Sequence, residues 1–263
     1  MKSDRRDVLK LLGAASGVVA LTPLLGGNVR TTTAAEAIPA VPWAYKKLNP
    51  ELAAERGYVG YYKAACCYGA FDAIVSQLRE EVGFPYTVVP SEMMIVGEGG
   101  IAGTASICGA LLGSATTIFL VAGGLEPKKR EEAFELIREL FTWYEQEALP
   151  NYRPKSPKFE IRTSVARSPL CHVSVSRWCK ATGLKSFSKE RSERCGWITA
   201  SVAKYTVEIL NSSFSGSFKP THALSPEVKG CQSCHDKGGS LENSRGLMDC
   251  AGGCHFTGKV KHP

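Results

Sequence analysis

Residues 128–149 read KKREEAFELIRELFTWYEQEAL, from Lys128 to Leu149. Phe134, Ile137, Leu140, Phe141 and Tyr144 recur at three- and four-residue intervals among charged residues, and Pro150 follows. That period predicts an amphipathic helix with one buried face. The same period continues outward in both directions. Ser192 to Ser212 carries Ile198, Val202, Tyr205, Val207 and Ile209. Upstream, Pro50 to about Gly83 reads as a helix whose second half places Phe71, Ile74, Val75 and Leu78 on one face, and Gly83-Phe84-Pro85 ends it. Gly57 and Gly60, beside Tyr58, Tyr61 and Tyr62, allow close packing in its first half. The apolar stretch Thr104 to Val121, broken by Gly109 and Gly113 and too short to span a bilayer, reads as a buried central helix. No alternating pattern of convincing length predicts strands. The expected class is all-α: a bundle-like helical domain over 38–215, then a small, largely irregular segment over 216–263.

The first 37 residues belong to neither part. Asp4-Arg5-Arg6-Asp7-Val8-Leu9-Lys10 precedes the apolar run Leu11 to Leu25 and the small-residue site Ala35-Glu36-Ala37. This predicts a twin-arginine signal peptide, hence export to the periplasm, with no stable membrane anchor because the run falls short of about 20 apolar residues. Its removal takes five basic and three acidic residues and lowers the formal charge from +7 to +5. With 22% charged and 44% hydrophobic residues the composition is that of an ordinary globular protein, and no motif points to nucleic acid. The lysine surplus suits an acidic redox partner protein.

From Ser213 onward Gly, Ser, Pro, Lys, Cys and His dominate, and aliphatic side chains are too few for a core. A bound group is expected to organise this tail. Cys231-Gln232-Ser233-Cys234-His235 has the spacing at which two thiols attach a haem c and the histidine ligates its iron. Cys250-Ala251-Gly252-Gly253-Cys254-His255 carries one more residue between its cysteines, and two glycines let that residue loop out. Two haem c groups per chain are therefore expected, with His235 and His255 as proximal ligands. Zinc held by the same Cys/His tail is the competing chemistry. For the sixth ligands three histidines remain: His172, His222 and His262. His222, nine residues before Cys231, and His172, beside Cys171, are preferred over the near-terminal His262. Met248 is too near Cys250 to reach the far face of that haem, which favours bis-histidine ligation.

Six further cysteines, Cys66, Cys67, Cys108, Cys171, Cys179 and Cys195, lie in or beside the helical stretches. Disulfides or free thiols are the plain readings. A twin-arginine route, which carries proteins already folded around a cofactor, instead favours an iron–sulfur cluster, because haem c is attached after export. Cys67-Tyr68-Gly69-Ala70-Phe71, the segment Gly99 to Gly103, Ser106-Ile107-Cys108-Gly109-Ala110-Leu111-Leu112-Gly113, and then Cys171 and Cys195 resemble a family of redox proteins named for a Cys, Gly-Cys-Ala-x-x-Gly, Cys, Cys pattern. Here the middle motif is Cys-Gly-Ala-x-x-Gly. With a dihaem tail, the whole mature chain resembles the split-Soret cytochromes c of anaerobic sulfate-reducing bacteria. The resemblance implies a homodimer, bis-histidine haems stacked close together, an iron–sulfur centre and electron transfer in anaerobic respiration. It assigns the cluster to Cys67, Cys108, Cys171 and Cys195, with Cys66 and Cys179 as competing neighbours. An electron carrier is thus expected. The rivals are a haem enzyme with an open coordination site and a disulfide-stabilised metal-binding protein.

Overall fold

A computed structural model describes residues 37–243 and 246–249. The signal segment up to residue 36 and Cys250, Cys254, His255 and His262 lie outside the described residues. The fold is all-α, as the periodicity predicts. Its helices are α1 (Pro50–Glu81), α2 (Gly109–Ala122), α3 (Pro127–Gln146), α4 (Cys171–Thr182), α5 (Lys189–Phe214) and α6 (Pro226–His235). The described strands are two residues long: β1 (Ala148–Leu149) pairs antiparallel with β2 (Ser164–Val165). Among the described residues no helix is long and apolar enough to cross a membrane.

Helix α1 departs from the single rod that its sequence predicts. Ala64 and Ala65 leave helical geometry, Ala65 at φ 65°, and the chain folds back on itself. A straight helix would hold residues 20 apart at about 30 Å. Instead Arg56 Nη1 donates to Ser76 Oγ at 2.9 Å, and the Asn49 N–H donates to Gln77 Oε1 at 3.0 Å. The two arms, residues 50–63 and 66–81, therefore run side by side. Gly60 and Gly69 make this crossing possible, since a Cβ on Gly69 would sit 2.6 Å from the Tyr61 nitrogen. Asn49 caps the first arm by accepting from the Glu51 and Leu52 N–H groups.

The second arm, α2, α3 and α5 enclose the core, in which Phe71, Ile74, Leu78, Leu111, Ile118, Leu140, Val202 and Leu210 are at most 2% exposed. Two sequence expectations shift. The central helix begins at Gly109, not Thr104, because Gly99 to Ala105 form a loop with φ positive at six positions, three of them non-glycine. On α3 the inner face is Ala133, Leu136, Leu140, Trp143 and Tyr144, whereas Phe134 is exposed and Ile137 and Phe141 are only partly buried. In the tail, Ser225 caps the one described helix, α6, by accepting from the Val228 N–H.

Candidate redox centres

The loop that displaces the start of α2 sets the cysteine site. Its end pairs with the segment before α4: Cys108 N–H donates to Pro169 O at 2.8 Å and Cys171 N–H to Ser106 O at 2.7 Å. These two bonds hold Cys108, the N-cap of α2, beside Cys171, the first residue of α4. The reversal at Ala65 puts Cys66 at the start of the second arm of α1. Three cysteines thus occupy helix N-termini, where peptide dipoles favour thiolate. Cys195 comes from within α5.

The thiols of Cys66, Cys108, Cys171 and Cys195 lie close enough to feel one another's charge. Burial pushes the Cys66 thiol well up, and negative charge on Cys108, Cys195, Cys171 and Cys67 adds to the rise. Cys171 is pushed up to about 12 by burial and then by Cys108 and Cys195, with Arg194 and Arg191 pulling the other way. Cys108 rises by burial against the Tyr144 hydroxyl and the Ala110 and Leu111 N–H groups, which favour its thiolate. Cys67 is pushed up to about 12 by burial and then by Cys108, against the Gly97 and Gly113 backbone. Cys67 packs on Gly97, where a Cβ would lie 2.4 Å from its Sγ; a Cβ on Gly109 would lie 2.6 Å from the Cys66 Sγ. Cys179, two turns beyond Cys171, rises by burial and senses Cys195. Cys66 thus senses Cys67, Cys108, Cys171 and Cys195, whereas Cys67 senses Cys108.

Soft thiols in a set, with small residues packed on them and two cations beside them, fit an iron–sulfur group by donor chemistry. Among the described residues no three His, Cys, Asp or Glu side chains stand around a single ion site. A several-atom cluster requires sulfurs spread around its own width, not gathered on one point. All eight described cysteines are free thiols.

The haem motif lies on α6. Cys231 and Cys234 are one helical turn apart on one face, both accessible, and His235 ends the helix with Nδ1 2.7 Å from Asn243 Oδ1. A bond at Nδ1 fixes the orientation of the ring, as an outer partner does for a metal-ligating histidine. A cavity of about 340 Å³ lies between α3 and the tail, lined by Ile137, Phe141, Pro169, Leu224, Leu247 and Met248 among others. It takes up the two α3 side chains that the core leaves half-exposed. Glu145 also borders it, pushed up to about 7 by burial and by Asp249.

Of the candidate sixth ligands, His222 is the better held. Its Nδ1 lies 2.7 Å from Oε1 of the buried Glu139, and its Nε2 lies 3.4 Å from Glu147 at the surface. Burial pushes the Glu139 carboxyl up, but bonds from His222, Thr221 and Tyr205 bring it net below the usual carboxylate range. His172 is exposed at the start of α4, its N–H on Ala105 O at 3.1 Å. Glu139, Arg191 and Arg194 were missed in the sequence. Arg194 adjoins Cys195, so its neighbourhood was legible, whereas Glu139 lies 83 residues from His222 and carries no local signal.

Comparison with known proteins places the chain. Residues 66–209 match the family described as "Putative redox-active protein (C_GCAxxG_C_C)", a match that begins at Cys66. Split-Soret cytochrome c of Desulfovibrio desulfuricans is 37% identical over 275 residues, 97% of this chain and 95% of that protein. The chain belongs to the split-Soret cytochrome c family. A solved structure of that family, described as "A novel iron centre in the split-Soret cytochrome c from Desulfovibrio desulfuricans", superposes with a TM-score of 0.76. It is 38% identical and covers 85% of this chain and 97% of its own. The family assignment agrees with both the helical fold and the cysteine pattern.

Proposed function

We propose that the chain is an exported, periplasmic dihaem c-type cytochrome with an iron–sulfur centre, which passes single electrons between redox partner proteins in anaerobic respiration and is not itself an enzyme. The observation that carries this reading is the pairing of two separate cysteine sets. Cys231, Cys234 and His235 stand on one short helix, while the thiols of Cys66, Cys108, Cys171 and Cys195 act on one another elsewhere in the domain. The relative's name, a cytochrome c, and the iron centre of the solved structure support haem and iron as the cofactors.

Cys231, Cys234, Cys250 and Cys254 are the haem attachment residues, and His235 and His255 the proximal ligands. His222 and His172 are the sixth ligands. Bound haem c and the cluster supply reversible one-electron carriers, and the protein's own part is to hold them still. Glu139 fixes the His222 ring, Asn243 fixes His235, and Ile137, Phe141 and Leu224 keep water from the cavity between α3 and the tail. Bonds that do not rearrange keep the cost of changing charge low. Cys66, Cys108, Cys171 and Cys195 are the cluster ligands on this reading, with Cys67 and Cys179 adjacent.

Association as a homodimer is supported by a run of exposed apolar side chains: Val88, Met93, Ile95, Val96 and Ile101 are each 41–59% exposed. Such a run on a soluble protein marks an interface. Pyridine haemochrome absorbance after alkaline denaturation tests the haem claim, and two haem c per chain are expected. Carbon monoxide separates carrier from enzyme: a six-coordinate carrier resists it once reduced, and full binding would favour an open catalytic site.

A further inference from the structure

Arg194 is 2% exposed, among the largest fully buried side chains. Its Nη2 donates to the Ser174 hydroxyl at 2.8 Å and to the Ser174 carbonyl at 3.4 Å. Its Nε is buried with no hydrogen-bond partner. Among the described residues no carboxylate pairs with it, and the acid next to it on α5, Glu193, points elsewhere, accepting from Tyr58, Trp197 and the Lys158 N–H. A guanidinium so placed is costly unless an anion compensates it.

The groups around Arg194 supply the place for that anion. Ser174 is one turn beyond Cys171 on α4, and its hydroxyl also lies 2.8 Å from the Tyr144 hydroxyl, which in turn favours the Cys108 thiolate. Cys195 follows Arg194 in the chain. One turn earlier, Arg191 places Nη1 3.9 Å from the Cys195 Sγ while its Nε is occupied by Ser186 O. The thiol site is thus cationic on its α5 side.

We propose that Arg194 is the resident counter-charge of an anionic, thiolate-ligated iron–sulfur group at Cys66, Cys108, Cys171 and Cys195, its unpartnered Nε–H being the donor left for that group and Arg191 its outer partner. This rests on the iron–sulfur reading above and adds a charge requirement to it. Four thiolates more than balance an iron–sulfur core, so the loaded site is negative and becomes more so on reduction. A fixed buried cation therefore favours the reduced form. Without the group, the same cation lacks compensation and weakens the fold.

The test uses the full chain carrying Arg194→Met, Arg194→Gln or Arg194→Lys, with the haem bands as internal control. In an anaerobic potentiometric titration read by electron paramagnetic resonance, Met and Gln should shift the cluster's reduction equilibrium at least tenfold toward the oxidised form. For a one-electron step that is about 59 mV. Lys should retain most of the parent value, and the haems should not move. In cluster-free protein, Arg194→Met should unfold at the same or a higher temperature than the parent. If Met does not fold, the contrast between Gln and Lys decides. An unchanged cluster potential with sulfide intact, or a cluster-free Met variant that unfolds at a lower temperature, would overturn the assignment and leave Arg194 as an anchor for Ser174. A parent without acid-labile sulfide would overturn the iron–sulfur reading itself, and this inference with it.

Discussion

His222 Nδ1 lies 2.7 Å from Glu139 Oε1, and the Glu139 side chain is 2% exposed. The same carboxylate accepts from Tyr205 Oη at 2.8 Å, from Thr221 Oγ1 at 2.7 Å and from the Thr221 and His222 N–H groups at 3.1 and 3.2 Å. It is an anchor built from α3 and α5 for the loop that leads into α6, and it fixes which ring nitrogen of His222 is presented outward. His222→Ala should leave one haem iron per chain five-coordinate, so that carbon monoxide binds the reduced protein and the Soret band changes. Glu139→Gln should keep six-coordination and raise carbon monoxide uptake only partly, since an outer partner of a metal-ligating histidine is worth about 10- to 100-fold in affinity. If His222→Ala stays six-coordinate while His172→Ala and His262→Ala do not, His222 is not a sixth ligand.

Cys66 and Cys67 are adjacent in sequence but not equivalent in space. Cys66→Ser and Cys108→Ser should each abolish iron–sulfur absorbance and paramagnetic signals while both haems stay covalently attached. Cys67→Ser should retain the signals, because Cys67 packs on Gly97 and, unlike Cys66, is not acted on by Cys171 and Cys195. Loss of the cluster in Cys67→Ser with retention in Cys66→Ser would reverse the assignment.

The reversal in α1 is strained at Ala65, an alanine at φ 65°. Ala65→Gly should stabilise the protein by ~1 kcal/mol, as relief of left-handed backbone outweighs the added freedom of the unfolded chain. Gly69→Ala should destabilise it by about 2 kcal/mol or more, because the new Cβ meets the Tyr61 nitrogen at 2.6 Å. Thermal unfolding of the two variants reads the opposite signs.

Asp72 ties α1 to the segment that covers the cysteine site. It accepts from Arg79 Nη1 at 2.9 Å, Ser91 Oγ at 2.6 Å and Tyr68 Oη at 3.2 Å. Burial pushes its carboxyl up, but Ser91 and Arg79 bring it net below the ordinary value. A depressed folded pKa contributes stability that is fully present above the ordinary aspartate pKa, about 3.9, and is lost as pH falls through the lower folded value. Asp72→Asn should thus cost ~1 kcal/mol at pH 7 and show a shallower loss of stability between about pH 4 and pH 2 than the parent. Denaturant midpoints measured across that range check it.

Much of this was legible because periodicity reports burial. The stripes through Leu140 and Tyr144 and through Ile198, Val202 and Val207 give their helices directly. The reversal at Ala64 and Ala65 was not legible, since alanine is a strong helix former and only tertiary packing of Gly60 on Gly69 makes the turn. Helix α4 was missed because Cys171, His172, Ser174 and Arg177 break the apolar pattern; its buried side chains are Val173, Trp178 and Ser174, the last bonded to Arg194. The spacing offered both Cys66 and Cys67, and only the fold-back at Ala65 gives the two neighbours different surroundings. Phe134 was assigned inward by its period and lies exposed, while Ile137 and Phe141 border the cavity against Leu224, Leu247 and Met248.

The central claim is that two kinds of redox group share this chain, and counting iron, haem and acid-labile sulfide on anaerobically purified protein tests it most directly. The account predicts two haem c per chain together with further iron matched by acid-labile sulfide. Iron equal to haem with no sulfide, or iron absent and zinc present, would contradict it.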